Sequence, residues 1–176
     1  MRRRTLSIAG IGLFAVIAAV YVLGQYGPPD PPSQPPPPRP AASADSVVFT
    51  ATMTTTQEVP APTVNTRVIG AGVFFFDPAT NTLSFTIAYR GLSGGATAIH
   101  FHNGAPGVAG PVVQTICGAP APALLGACPA GISGVLTGTW TVPAPLVPTL
   151  LAGGLYVNIH TAANPPGEIR GQINPL

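Results

Sequence analysis

The 176-residue sequence predicts an all-β domain, an antiparallel Greek-key β-sandwich of seven or eight strands. Three observations lead there. From Ser46 onward apolar and polar residues alternate with a period of two. Glycine, proline and asparagine interrupt that alternation at short intervals, and no window offers a 3.6-residue apolar stripe with helix caps. Strands are expected at about 46–54, 68–76, 82–90, 96–102, 111–116, 133–142, 154–161 and 168–174. In the first, Val47, Phe49, Ala51 and Met53 alternate with Val48, Thr50, Thr52 and Thr54. In the third, Leu83, Phe85, Ile87 and Tyr89 alternate with Ser84, Thr86 and Ala88. Asp77-Pro78-Ala79-Thr80-Asn81 between two such runs is turn chemistry and predicts a hairpin.

The sandwich is expected over residues 46–176, after two appendages. Residues 1–26 hold Arg2-Arg3-Arg4 and then the uncharged run Leu6 to Leu23, close to the roughly 20 residues that cross a bilayer. By the positive-inside rule the arginines stay cytoplasmic and the rest is exported. The segment is a signal anchor in the inner membrane or a cleaved signal peptide, so the protein is expected to face the periplasm or extracellular side, or to be secreted. The opening arginines also resemble a twin-arginine export signal, with Thr5 where that signal has a bulky apolar residue. Residues 27–45, where about half the positions are proline, read as a semi-rigid polyproline II spacer, with a PxxP ligand as the lesser alternative.

Composition excludes some partners. The chain is 46% hydrophobic and 7% charged, with no lysine, and from Asp45 onward it carries Arg67, Arg90 and Arg170 against Asp45, Glu58, Asp77 and Glu168. A surface with so little positive charge cannot neutralise phosphates, so nucleic acid is not expected as a partner. Enzyme templates also lack their parts: there is no nucleophile elbow, no HExxH and no phosphate-cradling glycine loop. Cys117 and Cys128 bracket an irregular Gly/Ala/Pro-rich loop. In an exported chain they read as a disulfide worth roughly 3 kcal/mol, with a thiolate metal site as the rival.

Several motifs together resemble the chordin-type (CHRD) domain over residues 46–174. They are Glu58-Val59-Pro60; His100 and His102 followed by Gly104 and Gly110-Pro111; the run Leu155-Tyr156-Val157-Asn158-Ile159-His160-Thr161; and Pro166-Gly167-Glu168-Ile169-Arg170-Gly171-Gln172. The resemblance implies an extracellular single domain of the bacterial exported type. The animal protein for which the family is named binds growth factors. The cysteine-rich modules of that protein have no counterpart here, so growth-factor binding is not carried over.

The chemistry rests on the chain's three histidines. On a strand His100 and His102 project from one face and Ile99 and Phe101 from the other, while His160 shares a face with Tyr156 and Asn158. Three neutral imidazoles suit copper or zinc. A weaker similarity to the copper site of copper/zinc superoxide dismutases, which are Greek-key sandwiches with a His-x-His strand and a late-strand histidine, points to copper. Without a bridging histidine or a zinc cluster the site is mononuclear at most. The expected function is therefore an extracytoplasmic copper- or zinc-binding protein, more a binding protein than an enzyme, with superoxide-type redox chemistry as the enzymatic version. The alternative is an adhesion or interaction module without metal, in which His100 and His102 bond to carbonyls of the 103–110 loop and His160 to a neighbouring turn. A further alternative is self-assembly through exposed strand edges. Arg170 is expected to pair with Glu58 or Glu168 or to guide an anion, and Tyr156 and Asn158 to support the site.

Overall fold

In the computed structural model, residues 46–62 and 67–176 are described. The expected signal segment 1–26 and linker 27–45 lie outside them. The strands are β1 (Val47–Thr54), β2 (Ile69–Asp77), β3 (Thr82–Arg90), β4 (Ala96–Asn103), β5 (Val112–Gly118), β6 (Gly134–Thr141), β7 (Leu155–Thr161), β8 (Ile169–Gln172) and the two-residue β9 (Asn174–Pro175); a one-turn helix, α1 (Val147–Leu151), precedes β7. The all-β antiparallel class is the observed one, and each expected strand lies within about two residues of an observed one. The last expected strand divides into β8 and β9.

The strands form one sheet in the order β5-β4-β7-β8-β1-β2-β3-β6, with β9 on β1. The β4–β5 hairpin is inserted between β3 and β6, which pair with each other. The expected two layers are thus two halves of a single curled sheet, joined where β8 meets β1 through the one registered pair Thr54 and Arg170. Gly171 permits this corner: a Cβ there would lie 2.7 Å from the Thr52 carbonyl oxygen, so any side chain would push the strands apart.

The first hairpin closes as its sequence demands. Asp77 accepts from the Ala79 N–H at 2.9 Å and the Thr80 hydroxyl at 3.1 Å, and Asn81 takes φ 54°, a left-handed value asparagine tolerates. Between the halves, the alternating apolar residues interlock. Phe101 of β4 stacks on Trp140 of β6 with centroids 5.1 Å apart and meets Phe85 of β3 and Phe74 of β2 edge-on at 5.5 and 6.1 Å. It is fully buried, as are Phe49, Phe74, Ile87, Ile99, Val157 and Ile159.

Two-faced burial distinguishes the half that holds the histidines. All seven residues of β7 and all four of β8 are buried, although their sequences alternate. Ile99, Phe101, Val157 and Ile159 fill the apolar core. The opposite face presents His100, His102, Tyr156, Asn158, His160, Arg170 and Gln172, and loops after β4, β5 and β7 cover it. Phe101→Ala removes the aromatic that ties both halves together and is expected to cost about 3–5 kcal/mol, read as a lowered urea midpoint with an unchanged slope.

Candidate metal centre

Strand register sets the histidine geometry. In the antiparallel β4–β7 pair, His100 lies opposite Asn158, His102 opposite Tyr156 and Ala98 opposite His160. Opposed residues share a face, and diagonal neighbours on it are within reach of long side chains. The His160 ring leans toward His100 past the small Ala98, leaving ring centroids 4.7 Å apart; those of His100 and His102 are 5.5 Å apart and those of His102 and His160 6.1 Å. One ring nitrogen from each lies within 4.8 Å of the others, and exposures are only 6, 7 and 9%.

The outward nitrogens fix which inward ones are bare. His100 Nε2 bonds the Ala119 carbonyl at 2.6 Å, His102 Nδ1 that of Gly110 at 2.9 Å and His160 Nδ1 that of Pro165 at 2.8 Å. A carbonyl only accepts, so each of these nitrogens carries the proton. In neutral imidazoles that leaves lone pairs on His100 Nδ1, His102 Nε2 and His160 Nε2. The first and third face each other at 2.9 Å. His102 Nε2 is buried with no hydrogen-bond partner among the described residues. The loop hydrogen bonds thus occupy the outer edges of the rings, and the inner edges converge on one another.

A proton shared between the two facing nitrogens would close this contact as a hydrogen bond, and burial opposes the charge it would bring. Desolvation lowers the pKa of all three histidines against the raising effect of the carbonyl bonds, and that of His160 reaches about 4, with the neighbouring His100 and His102 lowering it further.

The family model for the CHRD domain matches residues 49–173, a span that includes every residue of this centre. The chain belongs to the CHRD domain family. No curated protein and no solved structure matches the chain.

Around the histidines, the CHRD domain fastens its covering loops with side chains from the same sheet face. The Tyr156 ring stacks on His102, centroids 4.7 Å apart and planes 10° apart, and the Arg170 guanidinium carbon sits 3.4 Å from the centre of the Tyr156 ring. Arg170, 2% exposed, donates to the Val108 and Ala105 carbonyls, each at 2.8 Å. Gln172 donates to Gly104 and Gly153 carbonyls, and the Tyr156 hydroxyl accepts from Gly110 N–H. These bonds hold the loop that offers Gly110 to His102. Sealed behind it, Arg170 is placed to fasten a loop rather than to draw an anion from solvent. The disulfide joins Cys117 to Cys128, with S–S 2.01 Å, and secures the loop that begins with Ala119.

The two acids of the CHRD motif occupy opposite electrostatic states. Glu168, fully buried, accepts from Ser93 N–H and Oγ, Thr161 Oγ1 and Asn164 Nδ2. Burial alone would raise its pKa, but these bonds outweigh it and hold the carboxylate below its ordinary value. The knot shapes the turn that presents Pro165 to His160. Glu58, 5% exposed, takes one bond from Asn158 Nδ2 at 3.2 Å; Glu58 Oε1 and Asn158 Oδ1 have no partner among the described residues. Burial pushes its pKa up to about 8, against the opposing pull of Arg170 and of hydrogen bonds from Asn158 and the Val59 backbone. Gly167 lies over this pair at φ 139°, where a Cβ would be 2.6 Å from Glu58 Oε2.

The sequence leads one to expect carbonyls of the 103–110 loop for His100 and His102 and of a neighbouring turn for His160; Gly110 and Pro165 answer that expectation, whereas the His100 partner is Ala119 beyond β5, and Gln172 and Ser93 are not expected as fasteners. No side-chain pattern marks a carbonyl acceptor, although Gly110 and Gln172 sat within the quoted motifs. Among the described residues, no helix is long and apolar enough to cross a membrane.

The Glu58 state has a pH signature. Its carboxyl, at 4.5 when exposed and about 8 when folded, keeps its proton in the native state while the unfolded chain loses it. Its contribution to stability is complete below pH 4.5 and disappears as pH rises toward 8. Glu58→Gln is expected to be more stable than the parent at pH 8, on the order of 1–3 kcal/mol, with no gain at pH 4.5. Urea denaturation at the two pH values measures the difference.

Proposed function

We propose that this CHRD domain protein is an extracytoplasmic metal-binding protein whose mononuclear site, for copper or alternatively zinc, is formed by His100, His102 and His160. The observation that carries the reading is the pair of facing lone pairs, His100 Nδ1 and His160 Nε2 at 2.9 Å, beside the buried unpartnered His102 Nε2. Two nitrogens each about 2.0–2.1 Å from one ion at the tetrahedral angle are roughly 3.3 Å apart, so a small opening of this pair would admit a shared ion. The outer N–H bonds to carbonyls supply the orienting contacts that metal-binding imidazoles commonly make.

When bound, copper would supply ligand-exchange and one-electron chemistry, and zinc Lewis acidity. The chain's own residues hold the donors neutral, orient them through three carbonyls and exclude most water. With all three ligands at most 9% exposed, binding and sequestration are supported over turnover of a substrate. The apolar run Leu6 to Leu23 behind three arginines supports export with a membrane tether, and the disulfide supports an oxidising compartment.

A second reading, an interaction module without metal, draws on the outer face of β1, β2, β3 and β6. There Ile69, Val73, Phe75 and Val135 are exposed among Thr50, Thr52, Thr86 and Thr137, with Arg90 at the rim. Such a neutral patch suits contact with another uncharged surface.

Titration of the full chain with Cu²⁺ and Zn²⁺, followed by spin resonance and absorption, separates the readings. One equivalent of metal is expected, with nitrogen coupling that His100→Ala abolishes; no binding at micromolar metal leaves the interaction module as the surviving reading. Because the imidazole pKa values are lowered, and that of His160 reaches about 4, protons should compete poorly. Bound metal is expected to persist at pH 5.5, whereas ordinary histidines near 6.5 would already be mostly protonated. Equilibrium dialysis across pH 4–7 measures the release.

A further inference from the structure

The metal reading leaves open which charge state the pocket accepts, and the charged groups around the ligands bear on that question. Three are present. Arg170 lies behind His102 with one aromatic ring between them, its carbon 3.4 Å from the Tyr156 centroid and that ring stacked 4.7 Å from His102. Its guanidinium N–H groups end on the carbonyls of Val108 and Ala105 and on Gln172 Oε1, which are neutral acceptors. Glu58, whose carboxyl meets Asn158, holds its proton at neutral pH because burial raises its pKa to about 8. Glu168 is anionic, but its oxygens are taken up by Ser93, Thr161 and Asn164. The three ligands are themselves neutral imidazoles.

An ion entering this pocket therefore meets a fixed positive charge and no anionic ligand. The cost of burying an ion grows with the square of its charge, and repulsion from the guanidinium grows in proportion to it. Three neutral imidazoles can hold a divalent ion, but here it would keep its full double charge beside the guanidinium, with ligands at most 9% exposed to the solvent that would otherwise screen it. Imidazole, a donor of intermediate softness, accepts copper and does not exclude the cuprous ion, so the preference is assigned to the charge term.

We infer that the site selects a monovalent ion, cuprous copper, over Cu²⁺ and Zn²⁺, because an unneutralised guanidinium is fixed behind one of three neutral buried ligands. This inference rests on the histidine site being a metal site. It describes the protein as a holder of Cu⁺, and makes the Tyr156–Arg170 stack a determinant of which ion is kept as well as a clamp.

The test is competition on the full chain under anaerobic conditions: Cu⁺ against bicinchoninate, Cu²⁺ against nitrilotriacetate. Cu⁺ is expected to bind tighter than Cu²⁺ by roughly tenfold or more. Arg170→Gln should narrow the ratio and Arg170→Lys, which keeps the charge, should preserve it. Because Arg170 also fastens a loop, the redox-inert pair Ag⁺ and Zn²⁺ is competed on the unmodified chain, where Ag⁺ should displace Zn²⁺ at near-stoichiometric amounts. Equal or tighter binding of the divalent ions overturns the selectivity and leaves the metal site standing. Failure of every ion to bind overturns the site itself.

Discussion

Three hydrogen bonds from imidazole N–H groups to the backbone carbonyls of Gly110, Ala119 and Pro165 are the constraint on which the rest of the centre depends. Each holds one proton on an outward nitrogen and so leaves the inward nitrogen bare. Each acceptor also belongs to a different loop. The geometry at the middle of the sheet face is therefore only as exact as three irregular segments allow, and much of the nearby polar side-chain chemistry serves to fix those segments. Arg170, Gln172 and Tyr156 fasten the loop after β4. The disulfide secures the loop after β5, and the Glu168 knot shapes the turn after β7.

This arrangement costs stability. A sheet face that would ordinarily stay wet is buried with a guanidinium, a carboxylate, a neutral carboxyl and three imidazoles in it, each requiring compensation for lost hydration. Compensation is nearly complete for Glu168 and Arg170. It is incomplete for Glu58, Asn158 and His102, whose Oε1, Oδ1 and Nε2 atoms lack partners among the described residues. A well-packed core of Phe49, Phe74, Phe76, Phe101 and Trp140 on the other face supplies the apolar burial that lets the domain carry this strain. Local cost of this kind beside a robust core is what is expected at functional or strained sites.

Much of the fold was legible because it rests on local chemistry. Alternation in Val47 to Thr54 and Leu83 to Tyr89, and the Asp77 to Asn81 turn, place strands and hairpin from neighbouring residues alone. The curl of one sheet into two facing halves was not legible, because it depends on β8 meeting β1 at Thr54 and Arg170, far apart in sequence, with Gly171 allowing the close approach to the Thr52 carbonyl. The site was legible in part. His100 and His102 share a face by strand period, so their pairing needs no tertiary knowledge. The partners of Arg170 were not: an arginine near two acids suggests an ion pair, whereas here loop carbonyls reach it and Glu168 is bound by Ser93 from a distant segment.

By itself, then, the sequence determined the all-β class, the spacing of the strands, the family motifs, the cysteine pairing and the identity of the three imidazoles, since each depends on residue type and short-range order. The tertiary structure alone decided which nitrogens are bare, that His160 stands 2.9 Å from His100, and that the polar face is sealed by loops. Those properties depend on register between β4 and β7 and on backbone carbonyls in three loops. Carbonyls are common to every residue, so composition and motif carry no trace of which ones are used.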